Sequence, residues 1–129
     1  MYKLLVNAKG SNKLILITDA IRAACMKSGA YDLGGQPVTV EHGAARLSDG
    51  TLAGSVLQLK VAVKNLWENT DLSLQQVIST VTMNPAKLIG LDSEIGSLEV
   101  GKKADIIIFD NNIDIKSTII DGKLYRNRI

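Results

Sequence analysis

Scarcity of a few residue types is the first information in this chain. Its 129 residues contain one cysteine, one histidine and two prolines. Cys25 alone cannot close an intrachain disulfide, so a disulfide-stapled secreted scaffold is excluded and a reducing, cytoplasmic setting is expected. His42 is the single histidine, and the usual zinc constellations of three or four His, Cys or carboxylate ligands cannot be assembled from this chain alone. No stretch reaches the ~18 apolar residues of a membrane span, and the first ten residues lack the pattern of a cleaved signal, so no membrane role is expected. Charge of one sign is lacking too. Fifteen Lys and Arg stand against thirteen Asp and Glu, a formal net charge of +2. That evenly scattered balance makes no case for nucleic acid. An apolar fraction of 46% with 22% charged residues is that of an ordinary globular chain. Length sets one further limit: a complete (β/α)₈ barrel takes ~250 residues, so none is whole here.

What is present reads as α/β. Leu14-Ile15-Leu16-Ile17 is a continuous apolar run stopped by Thr18-Asp19, the pattern of a strand buried on both faces in a parallel sheet. Val38-Thr39-Val40 and Ala44 to Leu47 flank a turn at Gly43, so Gln36 to Thr51 predicts a small hairpin excursion. Leu59, Val63, Leu66 and Trp67 then recur at helical spacing, predicting a helix to about Glu68 that Ser55 can cap. Ser73 and Gln76 form a capping-box pattern before Val77, Ile78 and Val81. Pro85 suits the first position of a short helix ended by Gly90. Beyond Leu91 the pattern returns to β: Gly96 to Leu98, Ala104 to Phe109, and Ile113 to Ile120 with a hairpin turn at Asp121-Gly122.

Asp19 is the first candidate for chemistry, because barrel enzymes carry catalytic groups at the C-terminal ends of their strands. A carboxylate there, near a metal-bound water, can take that water's proton and return it to a leaving group. Equally, an Asp after a strand can simply cap the next turn, and spacing leaves both roles open. Leu52, Ala53, Gly54 and Ser55 form a small-residue turn before a helix, either a plain helix start or a set of backbone N–H groups for an oxygen-rich ligand. His42 is expected to face solvent in a turn, Cys25 to be a small semi-buried side chain, and Lys102 and Lys103 to be solvated charges.

Four segments go beyond generic physics: LILITDA at Leu14 to Ala20, GGQPVTVEHGAARLSDGTLAGS at Gly34 to Ser55, Asn84-Pro85-Ala86, and GSLEVGKKADIIIFD at Gly96 to Asp110. Together, over essentially the whole chain, they resemble the N-acetylglucosamine-6-phosphate deacetylases of the metal-dependent amidohydrolase superfamily. The last segment alone marks only that superfamily, which includes dihydroorotase and imidazolonepropionase relatives; the TDA strand end followed by DGTLAGS is more specific. The resemblance implies an α/β fold: a C-terminal piece of a (β/α)₈ barrel plus part of its small β-sandwich domain. Residues 1–91 would be the last barrel strand, hairpin excursion and closing helices, and 92–129 the C-terminal sandwich strands. It implies hydrolysis of N-acetyl-D-glucosamine 6-phosphate to D-glucosamine 6-phosphate and acetate. Asp19 aligns with the catalytic aspartate, and Leu52, Ala53 and Gly54 with the substrate-contacting loop. Arg22 acquires no role. The family's metal ligands, a glutamate and two histidines, have no counterpart here, nor do its phosphate-binding residues. A divalent metal, zinc or iron, is therefore expected in the complete enzyme and none in this truncated chain. Cys25 stands where many relatives carry glycine. Edges left without neighbours predict a homo-oligomer. The alternatives are another amidohydrolase acting on cyclic amides, or a non-catalytic interaction module.

Overall fold

The computed structural model describes residues 1–126. Its architecture is α/β with two antiparallel sheets, and its contacts divide the chain into two compact units, Ile17–Ala62 and Met1–Leu16 with the chain from Val63 onward.

The Ile17–Ala62 unit is a four-stranded antiparallel meander made by turn chemistry. Strands β1 (Gly29–Leu33) and β2 (Gln36–Glu41) meet through Gly34-Gly35, and β2 meets β3 (Ala44–Arg46) through His42-Gly43. Both two-residue turns have positive φ at each central position, the geometry that matches strand twist. His42, at φ 51°, is exposed in its turn, as expected. Along β2 the alternation is clean, with Val38 and Val40 buried and Thr39 and Glu41 exposed. Arg46 Nη1 donates to the Gly50 carbonyl at 2.8 Å and the Thr51 N–H to Asp49 Oδ1 at 2.9 Å. These bonds shape the loop that leads into β4 (Leu52–Gly54). Ala23, Val40 and Ala45 form the core, with Ile21, Tyr31 and Val56 packed on it. The expected hairpin is thus part of a larger sheet. β1 lacks an apolar alternation to announce it, and Leu52–Gly54 is a strand because β3 offers it an edge.

In the other unit, α1 (Tyr2–Lys9) and a 3-10 turn (Ser11–Lys13) precede the segment to Leu16. Helix α2 (Leu59–Glu68), which belongs to this unit from Val63 on, carries the buried Val63 and Leu66, followed by α3 (Leu74–Ser79) and α4 (Met83–Leu88). The Ser73–Gln76 capping box is complete in both directions, worth about 1 kcal/mol. Ser55 does not cap α2; its Oγ accepts the Leu57 N–H at 3.1 Å, two residues before the helix. Pro85 lies two residues inside α4 instead of opening it, where the first-turn N–H groups need no intrahelical partner. Gly90, φ 72°, ends it in a Schellman motif: its N–H reaches the Lys87 carbonyl and the Leu91 N–H the Ala86 carbonyl. Val63, Leu66, Val77 and Ile113 form the core, joined by Trp67, Val81 and Phe109 among others.

A second sheet, β5 (Ile106–Phe109), β6 (Ile115–Ile120) and β7 (Lys123–Arg126), turns at Asp121-Gly122 as predicted. Asp110 organises the β5–β6 connection: Oδ1 accepts the N–H groups of Asn112 and Asp114, and Oδ2 meets Lys116 Nζ at 2.8 Å. The Gly96–Leu98 stretch is a bend running into irregular chain, not a strand. Lys102 departs from expectation. Its side chain is only 10% exposed, and its Nζ donates to the Asp92 carbonyl and Ser97 Oγ, both at 2.6 Å, because an ammonium withdrawn from water needs such partners.

The Leu14–Ile17 run forms no strand ladder, and Ile17 is 71% exposed. An apolar run becomes a doubly buried strand only between hydrogen-bonded neighbours, and no described strand pairs with it. Buried Asn84 holds the start of this run instead, its amide donating to the Ser11 and Leu14 carbonyls at 2.8 and 2.7 Å. The Leu16 N–H reaches the Thr80 carbonyl at 3.1 Å.

Candidate functional site

Within the Ile17–Ala62 unit the backbone brings the two predicted site segments side by side. Ala20 and Ser55 form a parallel bridge, and the Ile21 N–H donates to the Ser55 carbonyl at 2.8 Å. Asp19 therefore precedes a residue paired with the one that follows Gly54. Its φ of 47° lies in the left-handed region, which Asp tolerates better than most residues. Its carboxylate is exposed and makes no hydrogen bond or ion pair among the described residues. A turn cap would spend those oxygens on backbone N–H groups, and no such bond is made among the described residues.

Leu52, Ala53 and Gly54 line an open groove of about 440 Å³ together with Gly43, Ala44 and Ser55 to Leu57. Register explains how their backbone reaches it. Ala45 pairs with Gly54 and Arg46 with Leu52, so Ala53 is the extra residue of a β-bulge on β4. A bulge withdraws a residue from the ladder and re-aims its peptide groups. A side chain at residue 54 would meet a neighbour: a Cβ there would lie 2.6 Å from Ile21 Cγ2, so one of the two would have to shift. Asp19 is not among the groove's lining residues.

Arg22, without a role at the sequence level, anchors the turn after Asp19 by donating to the Asp32 carbonyl at 3.1 Å and to Asp32 Oδ2 at 3.2 Å. Cys25 is exposed instead of semi-buried, and its φ of 65° is a conformation that glycine takes without strain. Sequence patterns missed Ile21 because it reads as one more apolar residue; its neighbour across the bridge gives it meaning. No group of three His, Cys, Asp or Glu among the described residues could hold a metal ion. His42 and Cys25 sit on exposed turns, and Asp19 is one carboxylate, so the described donor set does not fit a divalent metal. No described helix is long and apolar enough to cross a membrane.

The amidohydrolase family profile matches residues 5–125. The chain belongs to the amidohydrolase family. It is 43% identical over 122 residues to N-acetylglucosamine-6-phosphate deacetylase of Bacillus subtilis, covering 95% of this chain and 31% of that protein. A putative N-acetylgalactosamine-6-phosphate deacetylase of Escherichia coli K12 is 37% identical over 112 residues, 87% of this chain and 67% of its own length. The crystal structure of N-acetylglucosamine-6-phosphate deacetylase from Thermotoga maritima superposes with a TM-score of 0.88 at 37% identity, over 98% of this chain and 35% of that one. The chain thus spans about a third of the length of the Bacillus relative.

Proposed function

We propose that this chain carries the proton-transfer residue and part of the sugar-binding groove of an N-acetylglucosamine-6-phosphate deacetylase. The observation that carries the reading is the Ala20–Ser55 bridge, which sets Asp19 beside the Leu52–Gly54 strand in a chain 43% identical to such an enzyme. In this reading a water oxygen attacks the acetyl carbonyl carbon while the Asp19 carboxylate accepts the water's proton. The tetrahedral intermediate then breaks its C–N bond, and Asp19 returns the proton to the departing nitrogen, leaving acetate and the amino sugar. Leu52, Ala53 and Gly54 contact the sugar through backbone groups that the bulge turns toward the groove. A divalent metal, zinc or iron, enters the proposal only as a group held by residues other than those described, and no step here runs through it.

The same reading assigns residues 1–91 to the last strand and closing helices of a (β/α)₈ barrel and 92–129 to a β-sandwich, in a cytoplasmic enzyme. It also pairs the outer edges of β5 and β7 between copies, giving a homo-oligomer that light scattering detects; a strict monomer at high concentration removes that part. The test of function supplies the remaining length of the Bacillus relative in trans and measures acetate release. Release that falls ~100-fold or more in Asp19→Asn supports the reading. A folded mixture that releases acetate equally with and without the Asp19 carboxylate refutes it. A second substrate is favoured by the 67% coverage of the Escherichia coli protein, whose name specifies the galacto epimer. Parallel kcat/KM values on the two epimers decide between them.

A further inference from the structure

We infer that Ile21 is a positioning residue, whose side chain, seated over the bare Cα of Gly54, holds the Asp19 turn in register with the groove strand. This rests on the deacetylase reading for what Asp19 does, and on geometry alone for how Asp19 is held.

Three observations converge on it. The Ile21 N–H is bonded to the Ser55 carbonyl at 2.8 Å, directly after the Ala20–Ser55 bridge, so the turn's attachment to this strand runs through residues 20 and 21. A single bridge and one bond are a weak ladder, which leaves register to side-chain packing. Ile21 supplies that packing: it lies against the core of Ala23, Val40 and Ala45, and its Cγ2 occupies space that a Cβ on residue 54 would enter at 2.6 Å. Leu33 Cδ2 lies 3.8 Å from the same point, so that Cβ would meet side chains from two segments. The contact joins both halves of the site. Gly54 contributes backbone to the groove, and Ile21 is two residues from the proposed acid–base group. A misplacement of about 1 Å between such groups costs on the order of 100-fold in rate.

The experiment compares Gly54→Ala with Ile21→Ala, first by amide hydrogen exchange on this chain. Gly54→Ala is expected to speed exchange of the residue 21 amide by about tenfold or more while the β2–β3 ladder amides keep their rates. If Gly54→Ala loosens the whole sheet, Ile21→Ala alone decides: selective loosening of residue 21 supports the inference, and an unchanged rate overturns it. An unchanged residue 21 rate in Gly54→Ala also overturns it. In the reconstituted assay, Ile21→Ala is expected to lower kcat about tenfold or more with KM held, since the groove residues are untouched. Acetate release that needs Asp19 but ignores Ile21→Ala overturns the inference and leaves the deacetylase reading intact. Release indifferent to Asp19 removes that reading, and exchange then judges the positioning.

Discussion

The Ile17–Ala62 unit and the region from Val63 onward hold themselves together in different ways. From Val63 the chain closes its own accounts: helix ends are capped by a capping box and a Schellman motif, and Leu66, Val77 and Ile113 pack in a common core. The Ile17–Ala62 unit leans on turns. Three of its non-glycine residues, Asp19, Cys25 and His42, hold positive φ, and its clustered core consists of two alanines and a valine. Strain and thin packing thus coincide with the proposed chemistry, while the capped helices carry none of the candidate site residues.

The largest expected effect tests the well-packed side. Leu66→Ala removes a 2%-exposed side chain and should cost about 3 kcal/mol, read as early exchange or urea melting of the α2–α4 amides. A loss near zero would mean that the core of this region is not the support described. Next is relief of strain at the turn after Asp19. Cys25→Gly should stabilise by about 1 kcal/mol, because glycine takes φ 65° without the Cβ penalty. A destabilised variant would show that the turn is not strained. Ser73→Ala, which empties one half of the capping box, should cost about 1 kcal/mol and fray α3 selectively.

The smallest effect is pH dependence at the β5–β6 connection. Hydrogen bonding to Lys116 and to the N–H groups of Asp114 and Asn112 lowers Asp110 from 3.8 to about 2. A folded pKa below the unfolded one means stabilisation that is complete above about pH 4 and lost as pH falls toward 2. Lys116, raised by the hydrogen bond to Asp110, gives the opposite sign at the alkaline end, with stabilisation lost as pH rises past its ordinary 10.5. Asp110→Asn should flatten the acid limb, and an unchanged limb would assign it to other carboxylates.

Local chemistry was legible where a few adjacent residues suffice. Ser73 with Gln76, Gly90 after α4, and the Asp121-Gly122 hairpin each need only their own backbone, so their patterns and their structures agree. The resemblance carried by the TDA and DGTLAGS segments likewise survives in the family match over residues 5–125. The apolar run from Leu14 to Ile17 states a preference for burial and not the identity of its neighbours, and no described strand pairs with it.

Contacts between distant positions are what pattern reading left undetermined. That Asn84 grips the Ser11 and Leu14 carbonyls, that Lys102 withdraws from solvent, and that Ile21 needs Gly54 bare are facts about residues 33 to 73 positions apart, except within the Lys102 loop. Residue types and their order set the turns, the caps and the presence of an acid after an apolar run. Which strand that acid's turn lies beside depends on a register between segments far apart in the chain, and only packing in three dimensions chooses it.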